Sequence, residues 1–149
     1  MLGQFYSGRI LDIFVLLEGV AHLSDAKFKM ASAIIKGGKV LGFGPNKMNR
    51  GFKAIHDKYP WPVEHCELAA IRGALIRHGI KLNGDIPLGE AMTICRGATI
   101  YIFRQWKNGH PALARPCFYC QRGLIKPLGF KKMIYTISEP PYFMEEIIE

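Results

Sequence analysis

Two short motifs, far apart in the sequence, most strongly constrain how this chain can fold. The first is His65-Cys66-Glu67 and the second is Pro116-Cys117-Phe118-Tyr119-Cys120. Each opens a segment with helical character. Cysteines three positions apart at a helix start lie on one face, where unpaired backbone N–H groups and the helix dipole favour the thiolate. Imidazole and thiolate are typical zinc ligands, so we expect the fold to bring the two helix starts together.

The ligand count indicates which kind of zinc site this is. His65, Cys117 and Cys120 supply three ligands, which leaves the fourth tetrahedral position for water, as in catalytic rather than structural sites. Glu67 is predicted to accept the proton of that water and to deliver it during the reaction. A closed structural site with Cys66 or Cys95 as fourth ligand is the alternative, and it leaves Glu67 without a role.

Hydrophobic periodicity and turn residues place these motifs within an alternation of helices and strands. The expected elements, in order, are a helix over residues 7–23, a hairpin of MASAIIK and KVLGFG joined at Gly37-Gly38, a loop over 45–62, a helix over 64–78, a linker to about Cys95, a strand at GATIYIF, a helix over 117–126 and a strand at KMIYTI. This order predicts a mixed α/β layered domain. The acidic end, EEIIE, is interpreted as a helix that docks on a partner chain.

Length and composition set the remaining limits. With 149 residues, 49% of them hydrophobic, residues 1–149 are expected to form one domain. The longest apolar stretch, Ile10 to Val20, contains two acidic residues and is too short to cross a membrane. The chain start does not resemble a secretory signal, which predicts a cytoplasmic protein. In a reducing compartment, four cysteines favour metal binding over disulfides.

The charge of the chain points toward anionic partners. A net charge of +8 would attract nucleotides or nucleic acid. The lysines and arginines are spread along the chain, so a solvated basic surface explains the charge equally well.

The paired motifs resemble the signature of the zinc-dependent cytidine and deoxycytidylate deaminase superfamily, which is His-x-Glu followed by Pro-Cys-x-x-Cys. The segments VLGFGPNKM, GATIYIF, ARPCFYCQRGL and GFKKMIYT are similar to that superfamily in the same order, over most of residues 25–137. The resemblance implies a three-layer α/β fold of the cytidine-deaminase type, with a five-stranded mixed sheet flanked by helices. It also implies one zinc ion per chain with a bound water or hydroxide, and a homo-oligomer.

The resemblance further implies where a substrate would lie. The backbone N–H of Cys66 would receive the pyrimidine carbonyl oxygen, and the carbonyl of Arg115 would take the exocyclic amine. Asn46 matches the asparagine that bonds the sugar hydroxyl, with Asn49 as a second candidate. Aromatic side chains beside the motifs are either stacking platforms for the base or ordinary core; the two assigned to the site are Trp61 and Phe118.

We therefore predict hydrolytic deamination of cytosine to uracil in a free nucleotide or nucleoside, with dCMP as the expected substrate. Two alternatives stay open: a deaminase acting on cytosine or adenine in single-stranded DNA or RNA, and a catalytically silent zinc-stabilised binding module. CFYCQRGL lacks the Cys-x-x-Cys-x-Gly-Ala continuation typical of tRNA adenosine deaminases, which favours cytosine. Cys66 stands where the superfamily usually has alanine, and no spare ligand cluster indicates a second zinc.

Overall fold

A glycine turn sets the first part of the sheet. The computed structural model describes residues 1–48, 63–82 and 86–149. Strands β1 (Met30–Lys36) and β2 (Lys39–Pro45) pair antiparallel across the turn. Gly37 and Gly38 there have φ of 56° and 78°, a left-handed conformation that glycine adopts without steric cost. The predicted hairpin is confirmed.

The hairpin belongs to a five-stranded mixed sheet of order β2-β1-β5-β6-β7. The other strands are β5 (Thr99–Arg104), β6 (Lys132–Thr136) and β7 (Phe143–Ile147). β5 pairs antiparallel with β1 and parallel with β6, and β7 pairs antiparallel with β6. A separate two-stranded ladder joins β3 (Lys47–Met48) to β4 (Val63–Glu64). The sheet expected from the resemblance is confirmed.

Helices cover both faces of this sheet. α1 (Gly8–Ala21) precedes the hairpin, α2 (Cys66–Arg77) follows β4, and α3 (Leu88–Cys95) precedes β5. α4 is a short turn, Phe118–Cys120, that continues as a π-helix over Gln121–Ile125. None of the helices in the described ranges has the length and apolar character needed to cross a bilayer.

Strand alternation divides the buried side chains between two cores, because successive residues point to opposite faces of a sheet. The core under α1 takes six strand residues: Ala31, Ala33, Ile35, Tyr101, Phe103 and Ile134. The core under α2, α3 and α4 takes the residues between them, among which are Ile34, Ile100, Ile102, Met133 and Tyr135. The result is the three-layer arrangement, helix, sheet, helix, that the resemblance implied.

Two sequence-based predictions were wrong. Residues 88–95 form a helix rather than part of a linker, because Ala91 and Cys95 lie one turn apart and bury one face against the core. The acidic end is a strand, β7, rather than a docking helix. Two of its acidic residues form ion pairs: Glu145 with Lys132 of β6, and Glu146 with Arg115 in the segment before α4.

α2 lies unusually close to β2, because glycines remove the side chains that would separate them. A methyl group at Gly42 would stand 2.5 Å from the carbonyl oxygen of Ala70 and 2.7 Å from the Cα of Ala74. Both atoms belong to the backbone of α2, so a side chain rotation cannot relieve the overlap. Gly42 therefore sets the distance between the sheet and the helix that follows His65.

We expect Gly42→Ala to lower the free energy of unfolding by about 1–3 kcal/mol, the usual cost of forcing extra volume into a packed core. Gly19→Ala is the matched control, because a methyl group there meets nothing within 4 Å and α1 gains helix propensity. Urea denaturation of both variants checks the prediction. Equal stability of Gly42→Ala and the parent protein would contradict it.

Candidate active site

The start of α2 positions the imidazole. His65 is the residue before the helix and has extended backbone angles, φ −69° and ψ 150°. The preceding residue, Glu64, is buried, and its carboxylate accepts a hydrogen bond from the Arg72 guanidinium at 2.7 Å. Arg72 lies two turns into the same helix, so this ion pair ties the chain entering the helix to the helix itself.

The start of α4 positions the two thiols. Cys117 is the N-cap residue, and the backbone N–H of Cys120 donates to its sulfur at 3.4 Å. The segment before it is fixed from two sides. The N–H of Ala114 donates to the carbonyl of Thr136 in β6 at 3.0 Å, and the amide of Gln121 donates to the carbonyl of Pro116 at 2.6 Å.

The two helix starts bring three potential ligands together. His65 Nδ1 lies 3.6 Å from the sulfur of Cys117 and 3.3 Å from that of Cys120, and the three ligand atoms all lie within 4.8 Å of one another. Tetrahedral zinc with ordinary bond lengths separates a nitrogen ligand from a sulfur ligand by about 3.6 Å. The two observed nitrogen–sulfur separations are therefore close to those of a zinc site.

The local electrostatics also suit a metal. Hydrogen bonds from Cys120 and His65 outweigh burial and lower the pKa of the Cys117 thiol to about 4. Burial opposes protonation of His65, but the Cys117 hydrogen bond and the nearby Glu67 carboxylate prevail, and the pKa of the ring is raised. Zinc binds thiolate rather than thiol, so the lowered pKa of Cys117 favours a cation at this position.

Glu67 lies beside the ligand group without joining it. Its side chain is buried, 3% exposed, in the first turn of α2, and its carboxylate oxygen accepts a hydrogen bond from the Cys66 thiol at 3.0 Å. Among the described residues, the close group of donor atoms contains His65, Cys117 and Cys120 and neither of the other cysteines. The arrangement thus matches three protein ligands and a separate carboxylate.

Comparison with known proteins agrees with this geometry. Residues 9–137 match the family model of the cytidine and deoxycytidylate deaminase zinc-binding region. The chain belongs to this deaminase family. Comparison with curated protein sequences gave no match.

Solved structures of other deaminases share the fold. The apo dCMP deaminase of cyanophage S-TIM5 aligns with a TM-score of 0.57 and 18% identity, over 91% of this chain and 89% of the phage protein. The cytidine deaminase of Burkholderia pseudomallei aligns with a TM-score of 0.55 and 14% identity, over 95% and 93% of the two chains. At these identities the likeness establishes a common fold.

Asn46, which is predicted to contact the substrate sugar, is held by hydrogen bonds within the protein. Asn46 uses its amide to brace the loop before β1: the oxygen accepts from Ser24 and from the Met30 N–H, and the nitrogen donates to the Phe28 carbonyl. An amide nitrogen carries two donors, so one remains compatible with a sugar contact. The predicted roles of Trp61 and Asn49 fall outside the described residues.

Of the remaining predicted contacts, Cys66 begins α2, and Arg115 and Phe118 lie beside Cys117. The Arg115 side chain forms a double hydrogen bond with Glu146 in β7, at 2.7 and 3.0 Å, which holds the residue whose carbonyl is assigned to the exocyclic amine. Phe118 is 63% exposed, and the Arg122 guanidinium lies over its ring, 5.1 Å from the centroid. An exposed ring at this position is available for stacking rather than committed to the core.

Sequence reasoning missed a residue of β1 that supports the deaminase motif. The Ser32 hydroxyl is fully buried and donates to the Cys66 carbonyl at 2.6 Å. It anchors the first turn of α2 to β1, an inner strand of the sheet. Ser32 stands 34 positions before Cys66, and a serine within an apolar strand gives no sequence signal of such a contact.

We expect Ser32→Ala to lower the free energy of unfolding by about 0.5–1.5 kcal/mol, because it removes a buried hydrogen bond between β1 and α2. Ser138→Ala removes an exposed hydroxyl and is expected to change stability by less than about 0.5 kcal/mol. Chemical denaturation of both variants measures the difference. If the two variants are equally stable, Ser32 does not support α2 as described.

Proposed function

We propose that this protein catalyses zinc-dependent hydrolytic deamination of cytosine in a free nucleotide or nucleoside, with dCMP as the expected substrate. One observation carries the proposal: His65, Cys117 and Cys120 converge at zinc-ligand separations while the Glu67 carboxylate lies buried beside them. A structural zinc site has no use for such a carboxylate. A hydrolytic site needs one to move protons.

When bound, zinc lowers the pKa of water toward neutrality and so supplies a nucleophile for attack on the ring carbon that carries the amine. Glu67 would take one proton from the water and transfer it to the adjacent ring nitrogen, where it stays. It would then move the second proton, that of the added hydroxyl, to the leaving amine, so that the carbonyl of uracil forms. Its Cys66 hydrogen bond fixes the orientation of the carboxylate. Ammonia leaves and uracil remains.

The start of α2 offers a suitable contact for the base. α2 begins at Cys66, and the first N–H groups of a helix have no acceptor within that helix. The Cys66 N–H is therefore suited to donate to the pyrimidine carbonyl. We further propose that the Arg115 carbonyl accepts from the exocyclic amine, that Asn46 bonds the sugar hydroxyl, and that Phe118 stacks on the base. The dCMP deaminase of cyanophage S-TIM5 has been solved in complex with dCMP and dUMP, which is consistent with a nucleotide ligand for this fold.

The test is a substrate panel with purified, zinc-loaded protein. The panel contains dCMP, deoxycytidine, cytidine, adenosine and a single-stranded DNA, and deamination is followed by ammonia release and by the ultraviolet change from cytosine to uracil. We expect dCMP to give the highest kcat/KM. If only the DNA gives product, the substrate is a polynucleotide rather than a free nucleotide. Full zinc content without product from any substrate would indicate a silent binding module.

A further inference from the structure

A cationic groove lies at the end of the sheet where β1 begins and β5 ends. Its cavity of about 770 Å³ is lined by the loop after α1 and the loop after β5. The Arg104 guanidinium connects the two loops, because it lies over the ring of Phe28 at 4.9 Å and over that of Trp106 at 4.8 Å. Both rings keep a large exposed surface, 54% for Phe28 and 47% for Trp106.

The charged side chains that line this groove, among the described residues, are all basic. Besides Arg104 it is lined by Lys27, Lys29 and Lys107, and no acidic side chain is among the described residues that form it. Asp25 belongs to the same loop, but its carboxylate turns to the backbone N–H of Met48. Lysines around exposed aromatic rings are the arrangement that binds single-stranded nucleic acid, because the lysines meet phosphates and the rings stack on bases.

The groove and the candidate active site are linked through β1 and Asn46. Met30 of β1 pairs with Arg104 at the groove, and Ser32, two residues further along the same strand, bonds the start of α2. Two strand residues span about 7 Å. In addition, Asn46 donates to the carbonyl of Phe28, so a residue assigned to the substrate sugar directly contacts a loop of the groove.

One polar group in the groove also lacks a partner. The side-chain oxygen of Gln105 is buried and makes no hydrogen bond within the described part of the chain. Buried acceptors are normally paired.

We propose that this groove binds a single-stranded polynucleotide, with phosphates on Lys27 and Lys107 and a base stacked on Trp106. This goes beyond the proposed function, since a free nucleotide needs no such groove. Binding in the groove and deamination can be tested separately with an oligothymidylate. Its bases carry no exocyclic amine and so cannot be deaminated. Its binding therefore reports on the groove and is independent of deamination.

The experiment measures binding of a labelled oligothymidylate of about 15 nucleotides by fluorescence anisotropy at several salt concentrations. Trp106→Ala is expected to weaken binding about tenfold, the effect of losing one stacked base. The double variant Lys27→Ala/Lys107→Ala is expected to reduce the slope of log K against log salt by about 1.4, since each phosphate contact contributes about 0.7 for single strands. A duplex of equal length should bind more weakly than the single strand.

Lys39→Ala is the matched control for charge. Lys39 is exposed and lies in the hairpin at the opposite end of β1. We expect this variant to bind like the parent protein, with at most a small uniform loss. The proposal is overturned if the double lysine variant shows no greater change of salt slope than Lys39→Ala, if Trp106→Ala binds like the parent, or if no binding is measurable at low salt.

Discussion

Glu67→Gln is expected to reduce kcat for deamination about 100- to 10,000-fold, the range usually lost with a general acid–base residue. The amide keeps the size and the burial of the side chain but cannot accept the water proton. It can still accept a hydrogen bond from the Cys66 thiol through its oxygen, so the first turn of α2 should keep its conformation. Steady-state kinetics with the best substrate of the panel measure the loss.

Zinc content and thermal unfolding of Glu67→Gln separate catalysis from structure. We expect both to equal those of the parent protein, because Glu67 lies outside the group of ligand atoms. Glu64→Gln serves as a comparison. It changes a second buried carboxylate of the same region, the one that pairs with Arg72. A Glu67→Gln variant with full activity would remove the proton-transfer role from this residue and leave a metal site without assigned catalysis.

Cys117→Ser is expected to abolish stoichiometric zinc binding and, with it, activity. Serine keeps the size and an oxygen that can accept from the Cys120 N–H at the N-cap, so α4 should still form. A neutral hydroxyl cannot replace the thiolate as a zinc ligand. Loss of an outer partner of a metal ligand costs about 10- to 100-fold in metal affinity, so loss of the ligand itself should cost more.

Metal analysis after dialysis against a weak chelator measures this effect, and Cys95→Ala is its matched control. Cys95 is buried in the core under α2 and α3, and burial raises the pKa of its thiol to about 12. It therefore behaves as a small apolar side chain. We expect Cys95→Ala to keep one zinc per chain. Zinc retained by Cys117→Ser, or lost from Cys95→Ala, would show that the ligand set has been misassigned.

The parts of this fold that the sequence predicts are those with a strong local signal. The apolar spacing of α1, the glycine pair between β1 and β2, and the helix that starts after His65 each encode their own structure. α3 was missed because Pro87 and Gly89 interrupt the pattern while only one face of a short helix is buried. β7 was missed because its side chains are mainly exposed or acidic, and its pairing with β6 makes it a strand.

In the candidate site too, some residues have a strong local sequence signal and others do not. Residue type and spacing identify His65, Glu67, Cys117 and Cys120, since imidazole, carboxylate and thiol at helix starts have few other joint uses. The residues that hold them in place are not predictable in this way. Ser32 acts through its hydroxyl and Thr136 through its carbonyl, each bonded to a backbone group of a distant segment. Such contacts depend on the final register of the strands, which no local pattern specifies.

His65 and Cys117 stand 52 positions apart, on two elements that the strands of the sheet connect only indirectly. A cation held between them would act as a cross-link within the native state. At a free concentration one hundred times its dissociation constant, such a ligand adds about 2.7 kcal/mol to the free energy of unfolding. Metal starvation would thus shorten the lifetime of the protein as well as stop its chemistry.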